Sequence, residues 1–282
     1  MTIETTVRKL REMHMNIMAQ CFVEQMSSAE YQALSFDERF TLMVDREWDA
    51  RQSNRLKKLI RNAEFRDPSA CVENIDYTVE RKLNRKLIAE LSSCNYIIEH
   101  HNVILMGATG SGKSYIAQAL GMAAARQFIP VKYMRLPDLL TDLRIAKDEG
   151  TYPRLMAALQ KIPLLILDEW LLYPLSDEDA RLVLEIVDRR YRTASTIFCS
   201  QYAVAGWREK LQSKILADAV CDRIAHDSYE IVIDSKESMR RLTGLQNKYV
   251  YRRLRRIGLC PNPEFNAFNF LRRPANKSQE VK

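Results

Sequence analysis

This 282-residue chain has no long uninterrupted apolar run. Its longest such stretch, "IPLLILDEWLLYPL", is broken by Asp168 and Glu169, so no membrane span is expected. The opening "MTIETTVRKLREMH" carries charges where the apolar part of a secretory signal would sit, so none is expected. Paired cysteines are missing too. Cys21, Cys71, Cys94, Cys199, Cys221 and Cys260 are scattered, and the four histidines do not cluster with them. That spacing argues against zinc and dithiol chemistry, and in apolar segments such thiols act as small hydrophobes. A reduced cytoplasmic protein without a structural metal is expected. Glycine is sparse at eight residues, and an apolar content of 46% excludes a fibrous or disordered chain.

What the chain does have is an uneven charge. Its net +7 lies entirely in positions 247–282, where nine Lys/Arg face two Asp/Glu; the rest holds 34 of each sign. A basic tail on a neutral body is either a polyanion contact or a solvated extension.

Positions 1–95 read as a helical domain suited to DNA or partner binding, with one amphipathic helix over roughly 5–25 (Leu10, Met13, Ile17, Met18, Cys21, Phe22). "SFDE", Ser35 to Glu38, has capping-box spacing and opens a second helix ending before Pro68. A third is expected over about 77–92. The second helix carries Arg46, Arg51, Arg55, Lys57, Lys58, Arg61 and Arg66, with acidic residues interleaved. These basic residues are either a DNA-binding face or a solvated one. Over 96–246 apolar strands ("NVILMG", "VKYMRL", "PLLILDE", "STIFCSQ", "YEIVID") alternate with helical segments, which defines an α/β domain with a mostly parallel sheet.

"GATGSGKS" satisfies G-x-x-x-x-G-K-[ST] in full: Gly107, Ala108, Thr109, Gly110, Ser111, Gly112, Lys113 and Ser114. A strand precedes it and a helix follows. Backbone N–H groups of such a loop cradle phosphates at a helix N-terminus. Lys113 is assigned to the β- and γ-phosphates of ATP, and Ser114 to Mg2+. "LLILDE" ends a buried strand with Asp168, a second candidate for the Mg2+ shell, and Glu169, a candidate general base. A complete strand–helix unit separates the two motifs, unlike simple nucleotide kinases, in which the carboxylate strand usually adjoins the loop strand.

With these motifs, "STIFCSQ", "LADAVCDRI" and "ESMRR", the segment 101–246 resembles the DnaC-like branch of AAA+ ATPases. Within that branch the chain is similar to the IstB-type transposition helpers. The front segment "SFDERFTLMVDREWDARQSNRLKKLIRNAEF" extends the likeness, which covers about 1–246. The resemblance implies a parallel-sheet P-loop core behind an all-helical N-terminal domain. Only 36 residues follow Gln246, which implies a reduced lid and a basic tail over 247–282. It assigns Gln201 to sensor 1, Arg223 to an arginine finger reaching a neighbouring subunit's ATP, and Arg240 to sensor 2, with Arg241 as a possible substitute.

The implied function is ATP-dependent assembly on duplex DNA, held mostly through its backbone, with recruitment or stimulation of a partner transposase and remodelling by hydrolysis. The implied setting is a homo-oligomer in the bacterial cytoplasm, associated with DNA. Candidate DNA contacts are Arg51, Arg55, Lys57, Lys58 and Arg61, and in the tail Arg252, Arg253, Arg255 and Arg256; Arg144 and Lys147 are further possibilities. A replicative helicase loader is the alternative. A small-molecule P-loop kinase and a DNA scaffold with a vestigial ATP site fit the motifs less well.

Overall fold

The computed structural model describes residues 2–78, 82–211, 213–235, 238, 239 and 241. Arg240, the tail arginines Arg252, Arg253, Arg255 and Arg256, and Cys260 lie outside them.

The front of the chain holds α1 (Ile3–Glu12), α2 (Asn16–Ser27) and α3 (Phe36–Ala63). The single helix expected over 5–25 is therefore two helices. His14 adopts φ 59°, and its N–H bonds to Arg11 while that of Met15 bonds to Leu10, which closes α1 with a Schellman turn. α3 opens as read: the Ser35 hydroxyl accepts from the Glu38 N–H, and the Glu38 carboxylate accepts from the Ser35 N–H.

α3 has two working ends. Met43 and Glu47 are buried in its first half, where the helix packs on α2, and Ile60 and Ala63 join the core of the following domain. The Glu47 carboxylate accepts the Ile17 and Met18 N–H groups at 3.0 and 3.1 Å, capping α2 from outside.

The helix expected over 77–92 is shorter, α4 (Arg85–Ser92), capped by the Asn84 side chain on the Lys86 and Leu87 amides. Upstream, Asp76 accepts from the N–H and hydroxyl of Thr78 in a local turn that competes with helix.

After α5 (Asn95–Ile98), the α/β domain runs β1 (Asn102–Gly107), α6 (Lys113–Arg126), β2 (Val131–Arg135), α7 (Leu136–Asp148), α8 (Tyr152–Lys161) and β3 (Leu164–Trp170). It continues with α9 (Asp177–Arg190), β4 (Ser195–Ser200), α10 (Val204–Lys210), α11 (Lys214–Ala225) and β5 (Ser228–Ile233). The strands are parallel in the order β2-β3-β4-β1-β5.

Alternation along the strands feeds two cores, because successive side chains point to opposite faces. Val103, Leu105, Leu164 and Ile166 face α4 and α6, whereas Ile104, Met106, Leu165 and Leu167 face α7–α11. Cys21, Cys94, Cys199 and Cys221 are buried, and burial pushes the Cys94 thiol up to about 11. No helix among the described residues is long and apolar enough to cross a membrane.

Candidate nucleotide-binding site

The site assembles at the carboxyl edge of the sheet. β1 ends at Gly107, where a Cβ would overlap the Ile233 carbonyl oxygen at the end of β5. Gly110 has φ 82°, and a Cβ there would overlap the Ser238 hydroxyl. The segment beyond β5 returns to this loop, with the Met239 N–H donating to the Gly110 carbonyl at 2.8 Å. Lys113, the first residue of α6, is buried and donates to the Gly107 and Ala108 carbonyls at 2.7 and 2.9 Å. Ser114 lies beside it in the first turn.

β4 stands between β1 and β3, so the Asp168 strand does not adjoin the phosphate-loop strand. That order excludes the kinase arrangement and agrees with the spacing of the motifs. β3 pairs Leu167 with Phe198 and then Trp170 with Ser200, so Asp168 and Glu169 together oppose Cys199. Such a bulge re-aims side chains. Glu169 takes φ 56°, a left-handed conformation that costs a non-glycine residue roughly 1 kcal/mol or more.

Asp168 is buried; its Oδ2 accepts from the Tyr133 hydroxyl at 2.7 Å and its Oδ1 from the Glu169 N–H at 2.8 Å. Both donors are neutral, so neither cancels the carboxylate's charge. Burial first, and then Asp168 itself, push the Tyr133 phenol far above its ordinary range, so it remains a donor. Glu169 accepts from Arg135 at 2.6 Å, and that hydrogen bond is the main reason the guanidinium is raised. Gln201 follows β4 directly and is exposed.

Beside Gly107 and Ala108 opens a cleft of about 490 Å³, bounded by Val232, Ile233, Asp234 and Ser235, with Lys82 paired to Asp234 at 2.7 Å. Sequence reasoning missed this wall, Tyr133 and Arg135. Only the pairing of β2 with β3 brings the last two to the carboxylates, and no motif spacing encodes that pairing.

Arg223 does not lie at this edge. On α11 it donates to Asp188 at 2.8 Å and to the Ala219 carbonyl at 3.0 Å, and it lines a small void with Asn102 and Thr196 at the strands' amino edge. The six residues of β1 put that edge about 20 Å from the phosphate loop. Among the basic residues of α3, Arg51 donates to Glu47 and the His14 carbonyl, and Arg55 lies over the Phe128 ring at 4.8 Å. Lys57, Lys58 and Arg61 are exposed and form no ion pair among the described residues.

This strand order and loop define an ATP-binding protein of the AAA+ class. The family model for "IstB-like ATP binding protein" matches residues 8–247, and the chain belongs to that family. A putative insertion sequence ATP-binding protein, y4pL, of Sinorhizobium fredii is 39% identical over 241 residues, 86% of this chain and 98% of the relative. The insertion sequence IS1162 putative ATP-binding protein of Pseudomonas fluorescens is 39% identical over 201 residues, 71% of this chain and 87% of the relative.

Among solved structures, the DnaC helicase loader aligns with TM-score 0.50 at 20% identity, covering 58% of this chain and 96% of that one. Replication initiator DnaA bound to AMPPCP and single-stranded DNA aligns with TM-score 0.53 at 18% identity, covering 74% and 60%. These likenesses show the fold. Family membership sets the chain with the insertion-sequence ATP-binding proteins and gives it an ATP-binding role in transposition.

Proposed function

We propose that the chain is an ATP-dependent regulator of transposition that oligomerises on duplex DNA, recruits or stimulates a transposase, and remodels the assembly by hydrolysis. The observation that carries this reading is the separation of Arg223 from the phosphate loop of its own chain, about 20 Å along the sheet. An arginine so placed is too far to serve its own chain's nucleotide, and in this reading it reaches a neighbour's, which would make hydrolysis depend on assembly.

In this reading, phosphates enter the loop Gly107–Ser114 and Lys113 exchanges its loop carbonyls for phosphate oxygens. Ser114 and Asp168 would hold Mg2+, which would supply charge neutralisation at the β- and γ-phosphates. The buried Asp168 with its two neutral donors fits a cation, and Ser114 completes a sparse protein ligand set of the kind Mg2+ accepts. Glu169, released from Arg135, takes the proton of the attacking water, and Gln201 orients that water from the end of the intervening strand. Arg241, in the segment that already touches Gly110, would approach the nucleotide in the sensor-2 role; Arg240, the other candidate, lies outside the described residues. DNA is held by α3 and the 247–282 tail through phosphate contacts. The insertion-sequence family supports a transposase as partner.

Mixing tests the intersubunit site. Arg223→Ala and Glu169→Gln chains are each expected to be inactive. An equal mixture should regain about a quarter of the wild-type ATPase rate, because one interface in four then unites an intact Glu169 with an intact Arg223. No recovery on mixing would remove Arg223 from the finger role.

A further inference from the structure

Tyr133 lies within β2, the edge strand, with its ring in the core beneath α6 and its hydroxyl on Asp168. In the β2–β3 register Tyr133 opposes Ile166, and Arg135 opposes Asp168. The phenol therefore reaches forward two residues, about 6.6 Å along the strand, which a Tyr side chain can span and a shorter polar residue cannot. Tyr133 and Arg135 stand two apart in the strand, and each holds one carboxylate, Asp168 and Glu169 respectively.

A Phe would fill the same space in the core, so packing alone does not call for the hydroxyl. That hydroxyl takes one lone pair of Oδ2 while the Glu169 N–H takes one of Oδ1, so the plane of the carboxylate is fixed from both sides. Mg2+ demands near-octahedral geometry and tolerates misaligned oxygens poorly. Partners that orient a metal-binding carboxylate from behind typically change metal affinity by about 10–100-fold when removed.

We propose that Tyr133 is a positioning residue that presents Asp168 to the nucleotide-bound Mg2+, an inference that rests on the reading of Asp168 as a metal-holding carboxylate. It touches neither metal nor ATP and acts through Asp168.

Equilibrium binding of a fluorescent ATP analogue to the full chain tests this without turnover. Wild type, Asp168→Asn and Tyr133→Phe are compared in EDTA and across a Mg2+ titration, with Mn2+ binding followed by electron paramagnetic resonance. The expected result for Tyr133→Phe is unchanged nucleotide affinity in EDTA, with Mg2+ and Mn2+ constants weakened about tenfold. If Asp168→Asn leaves the Mg2+ constant untouched, the reading of Asp168 itself is wrong and the inference goes with it. If Asp168→Asn weakens Mg2+ while Tyr133→Phe matches wild type, only the inference is overturned. Equal weakening in EDTA and Mg2+ would mean that Tyr133 merely supports the fold, and would also overturn it. Should Tyr133→Phe fail to fold, 3,5-difluorotyrosine at position 133 keeps the shape and alters the donor. A shifted Mg2+ constant at unchanged EDTA affinity then supports the proposal, and an unshifted one overturns it.

Discussion

Glu169 is held in a backbone conformation unusual for its type and tied to Arg135, so the carboxylate proposed to activate water is engaged elsewhere. Two substitutions separate holding from catalysis. Glu169→Gln should lower ATP hydrolysis by about 10²–10⁴-fold, the range for a lost general base, while a nucleotide-binding titration stays near wild type. Arg135→Ala releases the carboxylate, so hydrolysis without DNA should rise several-fold, about two to five, with less further stimulation when DNA is added; steady-state phosphate release measures both. The placement of Lys113 and Ser114 at the start of α6, and of Asp168 and Glu169 at the end of β3, was legible because the motifs fix it by spacing to a strand and a helix. Arg135 and Tyr133 were not, since their relation to the carboxylates arises only when β2 pairs with β3.

At the scale of elements, chain ends and caps decide what was readable. The opening of α3 could be read because Ser35 and Glu38 carry the cap in their own spacing. The close of α1 could not, because His14 occupies the left-handed position where glycine or asparagine would have signalled a stop.

α2 takes its N-terminal cap from Glu47, thirty residues along the chain. Burial opposes the ionised form of Glu47, but the Arg51 hydrogen bond and the Met18 and Ile17 amides outweigh it and lower its pKa. A lowered folded-state value stabilises above the ordinary carboxylate range, and that stability is lost as pH falls through the lowered value. Hydrogen exchange of α2 should accordingly accelerate in acid in the wild type, and Glu47→Gln should remove that pH dependence at a cost of about 1–3 kcal/mol at neutral pH.

Arg190 acts similarly within the α/β domain. Buried, and lowered by burial to about 10, it donates to the Leu159, Ile162 and Ser195 carbonyls and the Thr196 hydroxyl, tying α8, α9 and β4 together. Arg190→Met leaves those acceptors buried, and thermal unfolding should register a loss of about 2 kcal/mol or more.

For the whole molecule, the sequence already implied the layered sheet, because near-continuous apolar strands alternated with helices and a strand–helix unit parted the two motifs. It did not show that α3 presents its basic residues in two states. Arg51 and Arg55 are engaged within the fold, whereas Lys57, Lys58 and Arg61 point to solvent with no ion pair among the described residues. Replacing those three by Ala should reduce the slope of log affinity for duplex DNA against log salt by about three, at unchanged melting temperature. An unchanged slope would assign the face to solvent.

α3 spans 28 residues, about 42 Å, and its far end rests against β2, where Lys132 pairs with Glu64 one residue before Tyr133. One continuous helix thus joins the front helices, which its first half packs against, to the strand whose Tyr133 hydroxyl donates to Asp168.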